Sequence, residues 1–192
     1  TNASAVVSPP GGNKAILGTN PIAMALPAKN GGIAFQFDQS TSAIALGKIT
    51  MASAAGEAIP LGWAVDSQGN DTTDPNKALK GSLKSSGDYK GWGFGLMTEV
   101  LAAAFTGSVN SLDVKGLKLP EGKPHDLGQC YIILDPNTHS NSFFDRIDRI
   151  ITAVAEQEGT RLPGSNFIMP ETVKIEKKIF DQLNKLSKGP TA

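Results

Sequence analysis

The sequence is poor in several residues that would each point to a particular chemistry. Among its 192 residues there is a single cysteine, Cys130, and there are only two histidines, His125 and His139. One cysteine excludes an intrachain disulfide and suits a reducing, cytoplasmic setting. Net charge is absent as well. Lys and Arg together number 18, as do Asp and Glu, so no field of one sign favours nucleic acid or an anionic membrane. No apolar run approaches the roughly 18 residues that a membrane helix needs. There is no Walker A loop, no G-x-S-x-G elbow and no cluster of metal ligands at a recognisable spacing, which argues against P-loop NTPases and α/β-hydrolases. Gly91, Gly93 and Gly95 are too closely spaced for the dinucleotide fingerprint G-x-G-x-x-G. They read instead as helix positions that let a backbone or ligand approach. Each histidine stands in loop-like sequence beside Pro124 or Asn137, with no partner at a spacing that supports catalysis. Thr1 to Asn13 carry no signal-peptide pattern, and the first residue is not methionine. We therefore expect a chain cut from something longer.

Glycine and proline, at 21 and 12, punctuate short apolar runs. Ile22 to Leu26 and Ile33 to Phe37 read as strands joined by Lys29-Asn30-Gly31-Gly32, with Ile33, Phe35 and Phe37 on one face. Ser40-Thr41-Ser42 offers N-cap chemistry for a helix from Ala43 to about Thr50. Residues 54–87 are turn-rich, and a connection of that length is functional or disordered more often than not. Gly91 to Phe105 is apolar nearly all round, which predicts a buried helix closed by Gly107. Asp126 to Asp135 predicts a buried strand. Phe143, Ile147, Ile150, Ile151 and Val154 recur at helical spacing. A last amphipathic helix should turn Val173, Ile179, Leu183 and Leu186 to the core. The irregular alternation of strands and helices predicts an α/β sandwich with a mixed sheet. No internal linker is evident, so we expect one main unit over residues 1–167, with the helix of 168–192 packing on it.

Two junctions are suited to an anion. At Asp38-Gln39-Ser40-Thr41-Ser42, hydroxyls and helix amides could hold a phosphate, or a hydroxyl could simply cap the helix. At Gly87-Asp88-Tyr89-Lys90-Gly91, a lysine stands at the mouth of a helix, where it could meet an anion or remain in solvent.

Several motifs follow one another in a family-specific order. They are Gly18-Thr19-Asn20-Pro21, then Phe37-Asp38-Gln39-Ser40-Thr41-Ser42 with Gly47-Lys48-Ile49, and Gly62-Trp63-Ala64-Val65-Asp66 with Gly69. Thr72-Thr73-Asp74-Pro75, Tyr89-Lys90-Gly91 and Arg161-Leu162-Pro163-Gly164 complete the series. Over Pro10 to Phe167 the chain resembles the malate/L-lactate dehydrogenase family, which includes ureidoglycolate, sulfolactate, diketogulonate and piperideine-2-carboxylate reductases. The resemblance implies a non-Rossmann, three-layer α/β/α domain with a mixed sheet, NAD or NADP as cofactor, and a homodimer. Cofactor contacts are implied at Phe37, Asp38, Gln39, Ser40, Thr41, Ser42, Tyr89, Lys90, Pro163 and Gly164. Asp66 is implied as a catalytic residue that helps a histidine move a proton. Asn20 and Thr41 are implied on the substrate side of the cleft. Ser165 departs from the acid or histidine usual after Pro-Gly, and Gln39-Ser40 replaces a commoner Met-Ala. The family's proton-donating histidine and substrate-binding arginine belong to an N-terminal segment that nothing here matches. The expected activity is hydride transfer between NAD(P)H and a 2-oxoacid/2-hydroxyacid or a cyclic imine. The alternatives are a non-catalytic nucleotide-binding fragment and a transferase for a phosphate ligand.

Overall fold

A computed structural model describes residues 1–115, 125–138, 141–165 and 171–187. Strand β1 (Ile22–Pro27) pairs antiparallel with β2 (Ile33–Gln39), with Met24 opposite Phe37 and Leu26 opposite Phe35. The connecting turn closes through Ala28 N–H donating to the Gly32 carbonyl. Its glycines Gly31 and Gly32 take φ of 92° and 80°, a region side-chain-bearing residues avoid. Phe35 and Phe37 are half-buried, whereas Ile33 stands in solvent, so the expected apolar face is covered only in part.

The core gathers on a second, smaller ladder. β3 (Ala64–Val65) pairs antiparallel with β4 (Ser82–Leu83). Val7 adds isolated bridges, parallel to Leu83 and antiparallel to Leu17, beside this antiparallel pair. Val7, Ile49, Ile59, Ala64, Ala78 and Leu83 form one buried cluster, against which Val6, Ile44, Ala52, Trp63 and Trp92 pack. Ile49 comes from α1 (Leu46–Ala55) and Ala78 from the short α2 (Pro75–Ala78). Asp74 starts α2 by accepting from Asn76 and Lys77 N–H, and Pro75 gives up no needed donor at the first helical position. Thus the turn-rich connection of residues 54–87 is built structure that supplies both strands of this ladder. The unit is of the α/β class that the sequence predicts.

Four expectations need correction. First, α1 starts at Leu46, and its N-cap, Ala45, has no capping side chain. The Ser40-Thr41-Ser42 hydroxyls do not cap it because they donate to other oxygens. Thr41 reaches the Thr19 and Asn20 carbonyls, and Ser42 the Ile44 carbonyl. Second, the helix after Lys90 is buried on one side only. α3 (Tyr89–Glu99), continued by a wider π-type turn at Val100–Ala104, buries Gly91, Gly95, Thr98, Glu99, Ala102 and Ala103. Its large residues Phe94, Met97, Val100 and Phe105 stay exposed, because the inward face selects small side chains. Third, residues 126–135 join no ladder, and Ile133 is 93% exposed. Fourth, α4 (Phe143–Ala155) and α5 (Lys177–Ser187) bury no residue. Phe143, Ile147, Ile151 and Val154 are half-covered, but Ile150 is exposed, as are Val173, Ile179, Leu183 and Leu186. An apolar stripe drives burial only where a partner surface is present.

Candidate functional site

The residues singled out by sequence meet along the connection from β2 to α1. Residues 84–86 run through its middle. The Ser86 N–H donates to the Thr41 carbonyl (2.9 Å), and Ala43 N–H to the Lys84 carbonyl (2.8 Å). On the other flank Lys84 N–H donates to the Trp63 carbonyl (3.0 Å), just before β3 and Asp66. Thr41-Ser42, Lys84–Ser86 and Trp63–Asp66 therefore lie side by side.

Glycine lets two further elements close in. A Cβ at Gly91 would lie 2.1 Å from the Ser86 carbonyl oxygen, and one at Gly95 would lie 3.0 Å from Thr41 Oγ1. Gly91 thus has no room for a side chain against the Ser86 backbone, and a Cβ at Gly95 would press on the Thr41 hydroxyl. At the other end of the connection, a Cβ at Gly164 would lie 2.8 Å from the Gln36 carbonyl oxygen. Its φ of 79° restricts the position further. The Pro163–Gly164 turn accordingly rests on β2, one residue from Phe37. Pro163–Gly164 thus lies against β2 beside Phe37, while Gly91 and Gly95, just after Tyr89–Lys90, lie against Ser86 and Thr41.

Chemistry differs along the connection from β2 to α1. Phe37 and Ser40 are half-buried, Asp38 and Gln39 exposed, and Thr41 and Ser42 buried. Tyr89 and Lys90 stand in solvent at the start of α3. The N-cap of α3, Asp88, has φ 58° and makes no side-chain cap. The Lys90 N–H donates to the Gly87 carbonyl at 3.4 Å, so it is the positive end of the helix and the exposed lysine that favour an anion here. The donors fit the phosphates of a dinucleotide.

Asp66 follows β3 and is partly exposed. Its Oδ1 accepts from Gln68 N–H (2.9 Å) and Asn70 N–H (3.0 Å). Asn70 Nδ2 is 3.4 Å from each carboxylate oxygen. The backbone hydrogen bond from Asn70 is the chief cause holding this carboxyl below the usual aspartate range, so it is ionised near neutrality. One oxygen is pinned by the turn, while Oδ2 has only the long contact from Asn70.

Asn20 is fully buried at φ 34°. Its Nδ2 donates to the Gly95 carbonyl (3.1 Å) and Glu99 Oε2 (2.9 Å), while Oδ1 accepts from Ala3 N–H (3.1 Å) and Ser111 Oγ (3.4 Å). Every donor and acceptor of this amide is therefore occupied within the chain. Glu99 was not visible as a site residue from the sequence. Its signal is an acid alone among Leu96, Met97, Val100 and Leu101, an apolar setting that demands buried partners. His125 is half-buried, and His139 lies outside the described residues. Among the described residues no group of three or more His, Cys, Asp or Glu could hold a metal ion. Nor is any described helix long and apolar enough to cross a membrane.

Comparison with known proteins agrees with the motif order. The chain is 41% identical over 165 residues to a (2R)-3-sulfolactate dehydrogenase (NADP(+)) of Chromohalobacter salexigens, covering 86% of this chain and 49% of that protein. It is 39% identical over 170 residues to a Δ1-pyrroline-2-carboxylate/Δ1-piperideine-2-carboxylate reductase of Pseudomonas aeruginosa, covering 85% and 49%. Among solved structures, sulfolactate dehydrogenase from Methanocaldococcus jannaschii superposes with a TM-score of 0.81 at 32% identity, covering 97% of this chain and 57% of that one. The chain spans about half the length of the curated relatives it matches. A sequence model of malate/L-lactate dehydrogenase matches residues 1–177, and the chain belongs to that family.

Proposed function

We propose that residues 1–167 form the NAD(P)-binding unit of an oxidoreductase that moves a hydride between the nicotinamide and a small 2-oxoacid/2-hydroxyacid or cyclic imine. The observation that carries this reading is the packing around Phe37–Ser42: Gly95 of α3 lies against Thr41, Ser86 bonds to Thr41 and packs on Gly91, and Gly164 lies against Gln36. Lys90 and the first turn of α3 bind phosphate by charge and N–H donation. The bound cofactor supplies the hydride; the chain positions it and handles the accompanying proton. The matched enzymes named above act on sulfolactate or on cyclic imine carboxylates, which favours the same substrate class here.

Asp66 presents an ionised carboxylate whose orientation the Gln68–Asn70 turn fixes. We assign it to steer a histidine that protonates the carbonyl oxygen or imine nitrogen as hydride arrives. That histidine comes from a further part of the polypeptide, which the length of the relatives suggests. Thr41 lies on the substrate side, since its hydroxyl proton is directed to the Thr19 and Asn20 carbonyls and its lone pairs remain for a ligand. Asn20, with its amide saturated, serves by holding that loop. The exposed apolar residues of 131–134 and of α3 suit burial by the remaining polypeptide and by a second copy in a homodimer working in the cytoplasm.

Quenching of Trp63 and Trp92 fluorescence tests the reading. NADH or NADPH should quench the full-length enzyme, whereas ATP should not. The same protein should reduce a 2-oxoacid or a cyclic imine, while the 192-residue chain by itself should not turn over. Equal quenching by ATP, or cofactor binding without turnover on any of these substrates, would overturn it.

A further inference from the structure

Glu99 is a buried acid, 7% exposed, with no cation within ion-pair distance among the described residues. A lone buried carboxylate is costly unless hydrogen bonds replace the water it lost. Here four donors converge on it. Asn20 Nδ2 is 2.9 Å from Oε2, Ser111 N–H 2.7 Å and Asn110 Nδ2 3.2 Å from Oε1, and Ser111 Oγ donates to Oε2. Burial opposes ionisation most strongly, yet the Ser111, Asn20 and Asn110 donors together hold the carboxyl below the usual glutamate range. The charge is therefore kept.

What the charge holds lies next to the candidate site. Asn20 has φ 34°, a conformation unfavourable for a side-chain-bearing residue, and Glu99 takes one of its two amide protons. The carbonyls of Thr19 and Asn20 receive the Thr41 hydroxyl, and Thr19 also receives the Thr41 N–H at 2.9 Å. Gly95, one helical turn before Glu99 on the same inward face, leaves the space that Thr41 Oγ1 fills. A chain of contacts thus runs from Glu99 through Asn20 to Thr41. We infer that Glu99 is a positioning residue: its buried negative charge fixes the Thr19–Asn20 loop and so sets Thr41 against a ligand. This rests on the proposal that Thr41 faces the ligand, and the test below separates the two.

Glu99→Gln keeps the volume but puts an NH2 group where one accepting oxygen stood, and since each oxygen takes two of the four donors, two of them lose their acceptor. Hydrogen exchange reads the loop directly. In the variant, the segment around Thr41 should lose protection while Leu83, in the core ladder, keeps it. In the full-length enzyme, kcat/KM for the 2-oxoacid or imine should fall on the order of tenfold, the consequence of one lost charge-assisted bond. Thr41→Val should lower it too, and the double variant should be no worse than the weaker single, since both act at one place. Unchanged exchange at Thr41 in a folded Glu99→Gln protein overturns the inference whatever the activity. So do losses in kcat/KM that simply add. An inactive wild-type enzyme would instead sink the dehydrogenase reading, with the exchange result still deciding the role of Glu99 in the loop. Should Glu99→Gln not fold, Asn20→Gly replaces it. Glycine adopts φ 34° freely but cuts the link, so the same local loss of protection is expected, and its absence is equally decisive.

Discussion

Residues 1–115 and residues 125–187 contain similar kinds of sequence but meet different fates. Every buried apolar side chain among the described residues, from Val7 to Val114, belongs to the first region. In the second, α4 and α5 have well-marked apolar stripes, and 131–134 is apolar throughout, yet among the described residues no side chain there is buried. The difference shows that amphipathic pattern records what a segment can bury, while actual burial depends on what lies opposite. It also separates two tasks. The first region holds the core and nearly all of the candidate site; the second contributes the Pro163–Gly164 turn and a large uncovered apolar surface.

The comparison breaks most readily on stability. Leu83→Ala, at a position 1% exposed, should cost about 2–5 kcal/mol by denaturant titration of this chain. Ile133→Ala should stay within about 0.5 kcal/mol. Equal costs would dissolve the distinction. A marked cost of Ile133→Ala in the full-length enzyme alone would sharpen it, by showing that the surface is covered there.

Next in size is catalysis within the first region. Asp66→Asn should lower kcat on the order of 10²-fold while cofactor affinity changes little, because the amide keeps the turn but removes the charge proposed to steer a histidine. Near-normal kcat would leave Asp66 as a turn former only. Lys90→Ala should weaken NAD(P)H binding by roughly 1.5–3 kcal/mol, read by titration, with the fold intact. An unchanged Kd would return Lys90 to solvent. Smallest is the ion pair joining the regions, Lys29 to Asp145 at 2.9 Å, with both side chains about two-thirds exposed. Solvent screens such a pair, so Lys29→Ala should leave the unfolding midpoint unmoved within error. A clear drop would mean that the two regions are coupled more tightly than their burial indicates.

Legibility in the sequence followed the range of the forces involved. The β1–β2 hairpin was readable because alternation and a Gly-Gly turn are local. The helix expected from Gly91 is present but starts two residues earlier, at Tyr89, since the turn at Gly87-Asp88 marks its beginning. Motif order indicated the family because it samples the whole chain. Of the two readings open for Ser40, Thr41 and Ser42, capping fails, since a hydroxyl near a helix start can equally bind a distant carbonyl, here Thr19 from Thr41 across 22 residues. The strand expected at 126–135 failed for a related reason: a ladder needs a neighbour, and none is present among the described residues. The convergence of Gly164 on Gln36 and the four donors on Glu99 depend on long-range packing that no window of sequence contains.

The carboxylate of Glu99 also makes the molecule a proton acceptor on unfolding. Its folded-state affinity for a proton is depressed, whereas in the unfolded chain it regains the ordinary value of 4.5. The stabilisation it gives is therefore present above that pH and is lost as pH falls towards the folded-state value, where both states are protonated. Acid should act here as a solvent-borne key. Protonating Glu99 turns one acceptor into a donor among four donors, loosening the N-terminal residues, the Asn20 loop and α3 together. The wild-type chain should thus lose thermal stability more steeply below about pH 4.5 than Glu99→Gln, whose amide takes up no proton there.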